Sequence, residues 1–413
     1  MIFSKYKLSE LGNVYSGGTP STKESSFWDG DIPWITPKDL SNYNGKYISN
    51  GERMITELGM NKSSATLIPK GSVLMSSRAP IGYVAICCKD VTTNQGFKSI
   101  SCDETKCLNE YMYYWIKNNI NYITSKSNGS TFKEISGTAF KELEVNVPSI
   151  NDQAKVLKVL SNIDKKIELN NEINNNLEYL LKKIYKKWFK DYKFSNNKIK
   201  FKESELGVIP EKWDVVDLRD VFKFQEGPGI RNWQYVEKNG TKFINIRCIK
   251  INDLDISTAN MISNEEANGK YSHFMLKEWD LVVSTSGTLG RSQIIREEHL
   301  PLCLNTSVIR FFPLNGMNEY SYMYSFLISS EFLNLLDVMA TGSAQRNFGP
   351  MHLNKIKLIY PDRKTLIRFN KIVFPIIKKI QLNKSENNRL IKLRDTLLPK
   401  LMNGQIDLDN IDI

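Results

Sequence analysis

Three sets of residues in this 413-residue chain have the types for chemistry, and each stops short of a catalytic set. Gly227-Pro228-Gly229 opens like a phosphate-cradling loop, but the third glycine of a dinucleotide site does not follow. No Gly-x-x-x-x-Gly-Lys-Ser/Thr segment occurs, so no ATP-driven motor is encoded, and no Asn-Pro-Pro-aromatic or Asp-Pro-Pro-aromatic element provides an adenine methyltransferase site. Pro361-Asp362 starts like a nuclease signature. Without a Glu-x-Lys at workable distance it is expected to be a strand-to-helix turn. His273, His299 and His352 are too scattered for a metal set or a general base, and structural roles are expected for them.

A net charge of +11 and a pI near 9.1 favour a polyanionic partner, with a solvated lysine surface as the alternative. The 41% apolar and 24% charged content is that of an ordinary globular protein with room for two cores. Six cysteines follow no framework of spacings, so reduced, mostly buried thiols are expected. The start, Met1 to Lys7, lacks the apolar core of a secretion signal, and no run reaches the roughly 18 apolar residues of a membrane span. These readings predict a cytoplasmic protein without a membrane partner.

The elements that must position any site come in two copies. Gly129-Ser130-Thr131-Phe132 and the run from Phe140 to Pro148 return about 213 residues later, as Gly342-Ser343-Ala344-Gln345 and the run from Leu353 to Pro361. Leu8, Leu11 and Gly17 match Leu218, Val221 and Gly227, while Trp34-Ile35 match Phe243-Ile244. Leu67 aligns with Leu276, Val73 with Val282, Gly82 with Gly290, Asn94 with Asn305, and Asn109-Glu110-Tyr111 with Asn318-Glu319-Tyr320. An ordered series at roughly 209 to 213 residues reads as a duplicated unit of about 200 residues. Each copy begins with short β-branched and aromatic runs broken by turn signals, with a helix expected over Glu110 to Asn118, which makes it an α+β unit.

Each copy ends in a long helix. From Asn151 no glycine or proline occurs until Gly207, and Val156, Leu160, Ile163, Ile167, Asn170, Asn174, Leu177, Leu181, Ile184 and Trp188 keep a 4,3 rhythm. Asp152 is placed as N-cap of a helix of about 38 residues, roughly 57 Å long. The second copy repeats the rhythm at Phe369, Val373, Ile376, Ile380, Asn383, Asn387, Leu390, Arg394, Leu397 and Leu401, with Pro375 expected to start or kink its helix. Antiparallel pairing would set Asn170 near Asn387 and Asn174 near Asn383, where four amides could satisfy one another and specify register. The alternative leaves these asparagines exposed beside a one-sided stripe.

Several segments resemble the specificity subunit of type I restriction-modification systems. They are Leu8-Ser9-Glu10-Leu11 followed by Ser16-Gly17-Gly18-Thr19-Pro20; Ile32-Pro33-Trp34-Ile35; Asn94-Gln95-Gly96; Gly129-Ser130-Thr131; the opening Leu206 to Trp213; and Leu397 to Gly404. The resemblance covers essentially the whole chain. It implies two pseudo-symmetric globular target-recognition domains, each reading half of a bipartite double-stranded DNA site, separated by two long antiparallel coiled-coil helices. Domain boundaries follow as 1–150 and 205–361 for the recognition domains, 151–195 for the central helix and 362–413 for the C-terminal helix and tail. Implied partners are two methyltransferase subunits docking on the helices and restriction subunits joining them. No cofactor is expected on this chain, with S-adenosylmethionine, ATP and Mg on the partners.

Under that resemblance, base reading falls to loop side chains. Arginine reads guanine bidentately, asparagine or glutamine reads adenine, and lysine mainly meets phosphate. The first 200 residues hold only Arg53 and Arg78, whereas the second recognition domain holds Arg219, Arg231, Arg247, Arg291, Arg296, Arg310 and Arg346. Candidates in the first domain are Gly17, Gly18 and Thr19, then Ser76, Ser77 and Arg78, then Asn94 and Gln95, with Lys38, Lys98 and Lys133 near phosphates. In the second they are Arg231, Arg247, Thr285, Ser286, Arg291, Asn305, Gln345 and Arg346. Each has an alternative as a surface ion pair or turn residue. Other functions held open are the specificity subunit of a modification-only system, a nuclease or methyltransferase with a divergent site, and a scaffold or RNA-binding module.

Overall fold

The computed structural model describes residues 1–41, 43, 45–78, 80–129, 133–195, 198–340 and 347–408. The chain forms two compact units, Met1–Leu169 with Asn388–Ile413, and Asn170–Asn387. Compactness therefore cuts each long helix in two, and each helix half goes with the globular part it packs against.

In the first unit a five-stranded sheet runs in the order Gly12–Ser16, Phe97–Cys102, Val73–Ser77, Ile81–Cys87, Tyr47–Ile48. Both faces of its central strand are buried, and alternation sorts them. Val73 and Met75 join the core under the helix Asn109–Asn118, while Leu74 joins Ile35, Ile68 and Phe97 on the other face. A second sheet, Arg53–Ile55, Trp28–Ile35, Thr92–Thr93, contains a parallel pair, Trp34 opposite Thr92 and Ile35 opposite Thr93. The strands Phe3–Lys7 and Glu144–Pro148 pair antiparallel and bring the ends of this globular part together.

The second unit rebuilds the plan. Phe222–Glu226, Val308–Pro313, Leu281–Ser284 and Ser292–Ile294 form one sheet, and Tyr235–Val236, Met261–Ser263, Gly240–Phe243 and Leu302–Cys303 form the other. Phe243 opposite Cys303 repeats the parallel pair, and Asp214–Asp217 with Lys357–Tyr360 repeats the closing ribbon. Two of the expected sequence matches are one residue out of register. Ile68 donates to Val91 O as Leu276 donates to Leu302 O, so Leu276 corresponds to buried Ile68 rather than to exposed Leu67. Likewise Val282 shares the core face of Leu74, not of Val73. A slip of one residue in a strand moves a side chain to the opposite face, which burial resolves and a short identity does not.

The long helices are Ile150–Phe189 and Arg363–Met402, each of 40 residues. In the first unit Val156 and Leu160 share a core with Leu398 and Leu401; in the second Leu181 and Trp188 share one with Phe369 and Val373. The seam takes Ile377 into that core while Ile376 is only half-buried. Two other expectations need correction. Ser149, not Asp152, caps the central helix, its hydroxyl accepting the Asp152 amide at 3.2 Å. Pro375 does not start its helix: it lies exposed inside Arg363–Met402, where its missing N–H deprives the Lys371 carbonyl of a helical partner. Asp362 instead caps that helix, accepting from the Thr365 amide at 3.1 Å and from its hydroxyl at 2.7 Å, which makes Pro361-Asp362 the expected turn.

The seam asparagines are buried and pair as the antiparallel register requires. Asn170 Nδ2 donates to Asn387 Oδ1 and Asn383 Nδ2 to Asn174 Oδ1, both at 2.9 Å. The quartet is not self-contained: Asn170 also donates to Glu386, Asn387 donates to Asn171, and Asn383 Oδ1 has no partner among the described residues. In the first unit Asp164 and Arg394 meet at 2.8 Å on the same pair of helices.

Candidate nucleic-acid interface

In the first unit the chain leaves the strand Gly12–Ser16 through Gly17-Gly18-Thr19. Gly17 lies on the backbone of the Asn94 loop, where a Cβ would sit 2.0 Å from the Asn94 carbonyl oxygen. The Gly18 amide donates to Thr93 O at 2.9 Å. Two indoles pin the following turn, Trp34 Nε1 donating to Gly18 O at 2.9 Å and Trp28 Nε1 to Ser21 O at 3.0 Å. The Thr19 hydroxyl then meets Gln95 Oε1 at 2.5 Å. Asn94 shapes its own loop by accepting the Gly96 amide, and Gly96 O accepts from the Ser77 amide at 2.7 Å.

Ser76 is spent on a turn, donating to Pro80 O at 2.8 Å and accepting from the Tyr83 amide at 2.9 Å. Ser77 O takes the Ile135 amide at 3.1 Å, which draws in the segment carrying exposed Lys133, and Arg78 faces Glu134 at 3.5 Å. These bonds gather Gly17 to Thr19, Ser76 to Arg78, Asn94-Gln95 and Lys133 into one loop cluster. Lys38 borders it: Pro37 Cγ would lie 3.3 Å from a Cβ on Gly96, and the exposed Lys38 ammonium pairs with Glu52 at 2.7 Å. Lys98, expected at the surface, is buried and donates to Phe97 O at 3.2 Å. Burial holds its ammonium below the usual lysine range, with Glu134 opposing and Arg78 reinforcing.

The second unit repeats the scaffold with different side chains. A Cβ on Gly227 would lie 2.3 Å from the Asn305 amide nitrogen, as Gly17 meets Asn94. Ser284 stands where Ser76 does, donating to Thr288 O at 2.5 Å and accepting from the Arg291 amide at 3.1 Å. The Thr285 amide donates to Ser307 O and Thr285 O accepts from Phe348, both at 3.1 Å, while Ser286 bridges to Asn347. Ser77 Oγ and Thr285 Oγ1 are thus equivalent atoms, and both are buried without a partner among the described residues. Asn305 Oδ1 accepts from the Thr306 amide at 2.6 Å, closing its own turn.

The proposed arginines divide. Arg231 and Arg247 are exposed, each on a short 3-10 turn, and Ile246 beside Arg247 would touch a Cβ on Gly287 at 3.4 Å. Arg291 is half-buried and tied down, donating to Ile249 O at 3.0 Å and to the Thr288 hydroxyl at 3.2 Å. Gln345 and Arg346 lie outside the described residues, as do Ser130 and Thr131.

Two residues joined the clusters without a motif to announce them. The exposed Arg53 guanidinium lies 3.4 Å from the centroid of the Trp28 ring, beside the Gly18 loop that the two indoles hold. Trp233 stands 81% exposed on the turn that carries Arg231. The scarcity of arginine in the first half was the one clue to Arg53, and nothing marked Trp233 as exposed. The histidines serve locally: His299 and His352 accept from the amides of Arg296 and Gly349 at 3.1 Å, and the His273 ring packs on Phe274. Among the described residues no three His, Cys, Asp or Glu side chains gather where they could hold a metal ion, and no helix is long and apolar enough to cross a membrane.

Comparison with known proteins gives a consistent outcome. The family described as type I restriction modification DNA specificity domain matches twice, over residues 3–179 and 210–392. The MjaIX specificity subunit of Methanocaldococcus jannaschii is 33% identical over 411 residues, which covers 98% of this chain and 94% of that protein. The HindI specificity subunit of Haemophilus influenzae is 24% identical over 68% of this chain and 73% of its own length. Among solved structures, the type I S subunit from M. genitalium shares the fold, with a TM-score of 0.55 at 16% identity over 97% of this chain and 96% of that one.

Proposed function

This chain belongs to the family of type I restriction-modification specificity subunits, and from that premise we propose that each loop cluster reads one half of a bipartite duplex DNA site without catalysing a reaction itself. One observation carries the reading. The two clusters share their scaffolding bonds and differ in the side chains they present: Arg78 corresponds to Ser286, and Gln95 to Thr306. A repeated scaffold with unlike readers suits two unlike half-sites, since backbone placement sets register and side chains specify bases. Exposed Lys133 supplies part of the phosphate attraction that the net charge of +11 favours, and exposed Arg231 and Arg247 are the candidate base readers of the second cluster.

The partners would be two methyltransferase subunits and restriction subunits, with S-adenosylmethionine, ATP and Mg on those chains. Each unit offers exposed leucines on its helix halves, Leu169 and Leu393 in the first, Leu382 and Leu180 in the second. Leu169 repeats as Leu382 and Leu180 as Leu393, at equivalent heptad positions beside the seam. Equivalent apolar pairs suit two copies of one partner.

The test combines two measurements. The purified chain is expected to bind duplex DNA with a steep salt dependence and to leave it unmodified. With its methyltransferase partner, mapped methylated adenines should define a two-part motif. Methyl transfer or cleavage by the purified chain alone would overturn the non-catalytic reading.

A further inference from the structure

Trp233 finds little to pack against among the described residues. It is 81% exposed, whereas Trp28, Trp34, Trp115, Trp188 and Trp213 are buried and Trp279 is half-buried. An indole left in water forgoes one of the largest burial gains any side chain can make. The turn beneath it is nonetheless stiff. Gln234, buried, donates to Glu266 Oε1 at 2.8 Å and to the Tyr271 hydroxyl at 2.9 Å, and accepts the Arg231 amide at 3.0 Å. Ile230, also buried, anchors the other side, so Arg231, Asn232 and Trp233 are held out together between two fixed points. The turn continues directly from the Gly227 loop, where a Cβ on Gly229 would lie 3.8 Å from Thr306 in the loop cluster.

Among the described residues the first unit has no counterpart to this aromatic. Its corresponding turn, Ser25–Phe27, presents exposed Ser26 where the second unit has Trp233, ahead of the strand that starts at Trp28. Building on the DNA-reading function above, we propose that Trp233 stacks on a base of the second half-site, a contact the first half-site does not receive. Any base offers a π-face to such a platform, so the contact adds affinity without demanding one base. An apolar side chain entering a base step partly unstacks it, and pyrimidine–purine steps open at least cost. The second half-site should therefore carry such a step at the position Trp233 meets.

The experiment uses the full-length chain and a duplex recovered by binding selection from a randomised library. Acrylamide quenches accessible indoles, and Trp233 is the most exposed one. The selected duplex should shield that emission, and the same duplex with its second half scrambled should not. Trp233→Ala should weaken binding to the selected duplex roughly 5- to 150-fold, lose the step preference in a repeated selection and keep the first half-site unchanged. Trp233→Phe should retain most of the affinity. Unchanged quenching on the selected duplex, or wild-type affinity in Trp233→Ala, would overturn the stack while leaving the bipartite reading intact. Failure of the wild-type chain to select any duplex would overturn both.

Discussion

Replacing Asn174 by leucine tests whether the seam amides specify register rather than supply stability. Asn174 Oδ1 is the acceptor for Asn383 Nδ2 at 2.9 Å, and Asn383 is 1% exposed with its own Oδ1 already without a partner among the described residues. Asn174→Leu therefore strands a whole buried amide, at about 1–3 kcal/mol. The leucine it introduces recovers part of that through burial, so a net loss of about 1 kcal/mol is expected. Asn383→Leu should behave alike, because it leaves Asn174 stranded instead. The double replacement removes both amides and sets leucine against leucine, so it should regain or exceed wild-type stability, a favourable coupling of about 2 kcal/mol or more. Guanidinium unfolding followed by tryptophan emission reads this out, since Trp188 and Trp213 lie in the core of the same unit. A double variant as unstable as the two single losses added together would show that the amides do not act as a pair, and the reasoning would fail.

Four further outcomes follow from particular contacts. Burial, reinforced by the Arg296 charge, pushes His299 down to about 4 from its ordinary 6.5. Its contribution is fully present above pH 6.5 and is lost as pH falls towards 4, on the order of 3 kcal/mol in all; unfolding midpoints measured across that window should flatten in His299→Gln, and an identical profile would refute the assignment. Gly227→Ala should destabilise by about 1–3 kcal/mol and impair the second half-site, because its Cβ would lie 2.3 Å from Asn305 backbone, while Gly229→Ala, 3.8 Å from a Thr306 methyl, should be tolerated in the same assays. Arg247→Ala should alter base preference in one half-site by about 1–3 kcal/mol if it reads guanine, and Lys133→Ala should lower the salt slope by about 1 without changing preference, both checked by salt-titrated binding. Aspartates at Leu169 and Leu393 should remove one of two bound methyltransferase copies, a loss of mass that native mass spectrometry would register.

Periodicity and repetition were legible in the sequence because both are local or self-referential. A 4,3 spacing of apolar residues is enough to specify a helix face, and it locates both long helices and the four asparagines on their stripes. The duplicated unit was equally plain, although short identities misjudged its register at Leu67 and Val73. Turn glycines such as Gly17 and Gly227 could be read too, because backbone packed that tightly leaves no room for a Cβ.

The tertiary structure decided which loop residues present themselves and which are consumed. Lys98 and Arg291 look like surface cations in the sequence, yet one is buried against Phe97 O and the other is tied to Ile249 O. Arg53 was not among the candidate readers in the sequence; the fold brings Trp28, distant along the chain, beneath its guanidinium. Asn171 and Glu386 entered the seam network because a hydrogen bond across two helices depends on side-chain reach and not on heptad position alone. The sequence by itself determined the duplication, the helices and their buried stripe, since hydrophobic burial follows a period that one chain segment carries within itself. The composition of each reading surface had to wait for the fold, because hydrogen bonds and ring contacts join residues whose separation along the chain follows no period.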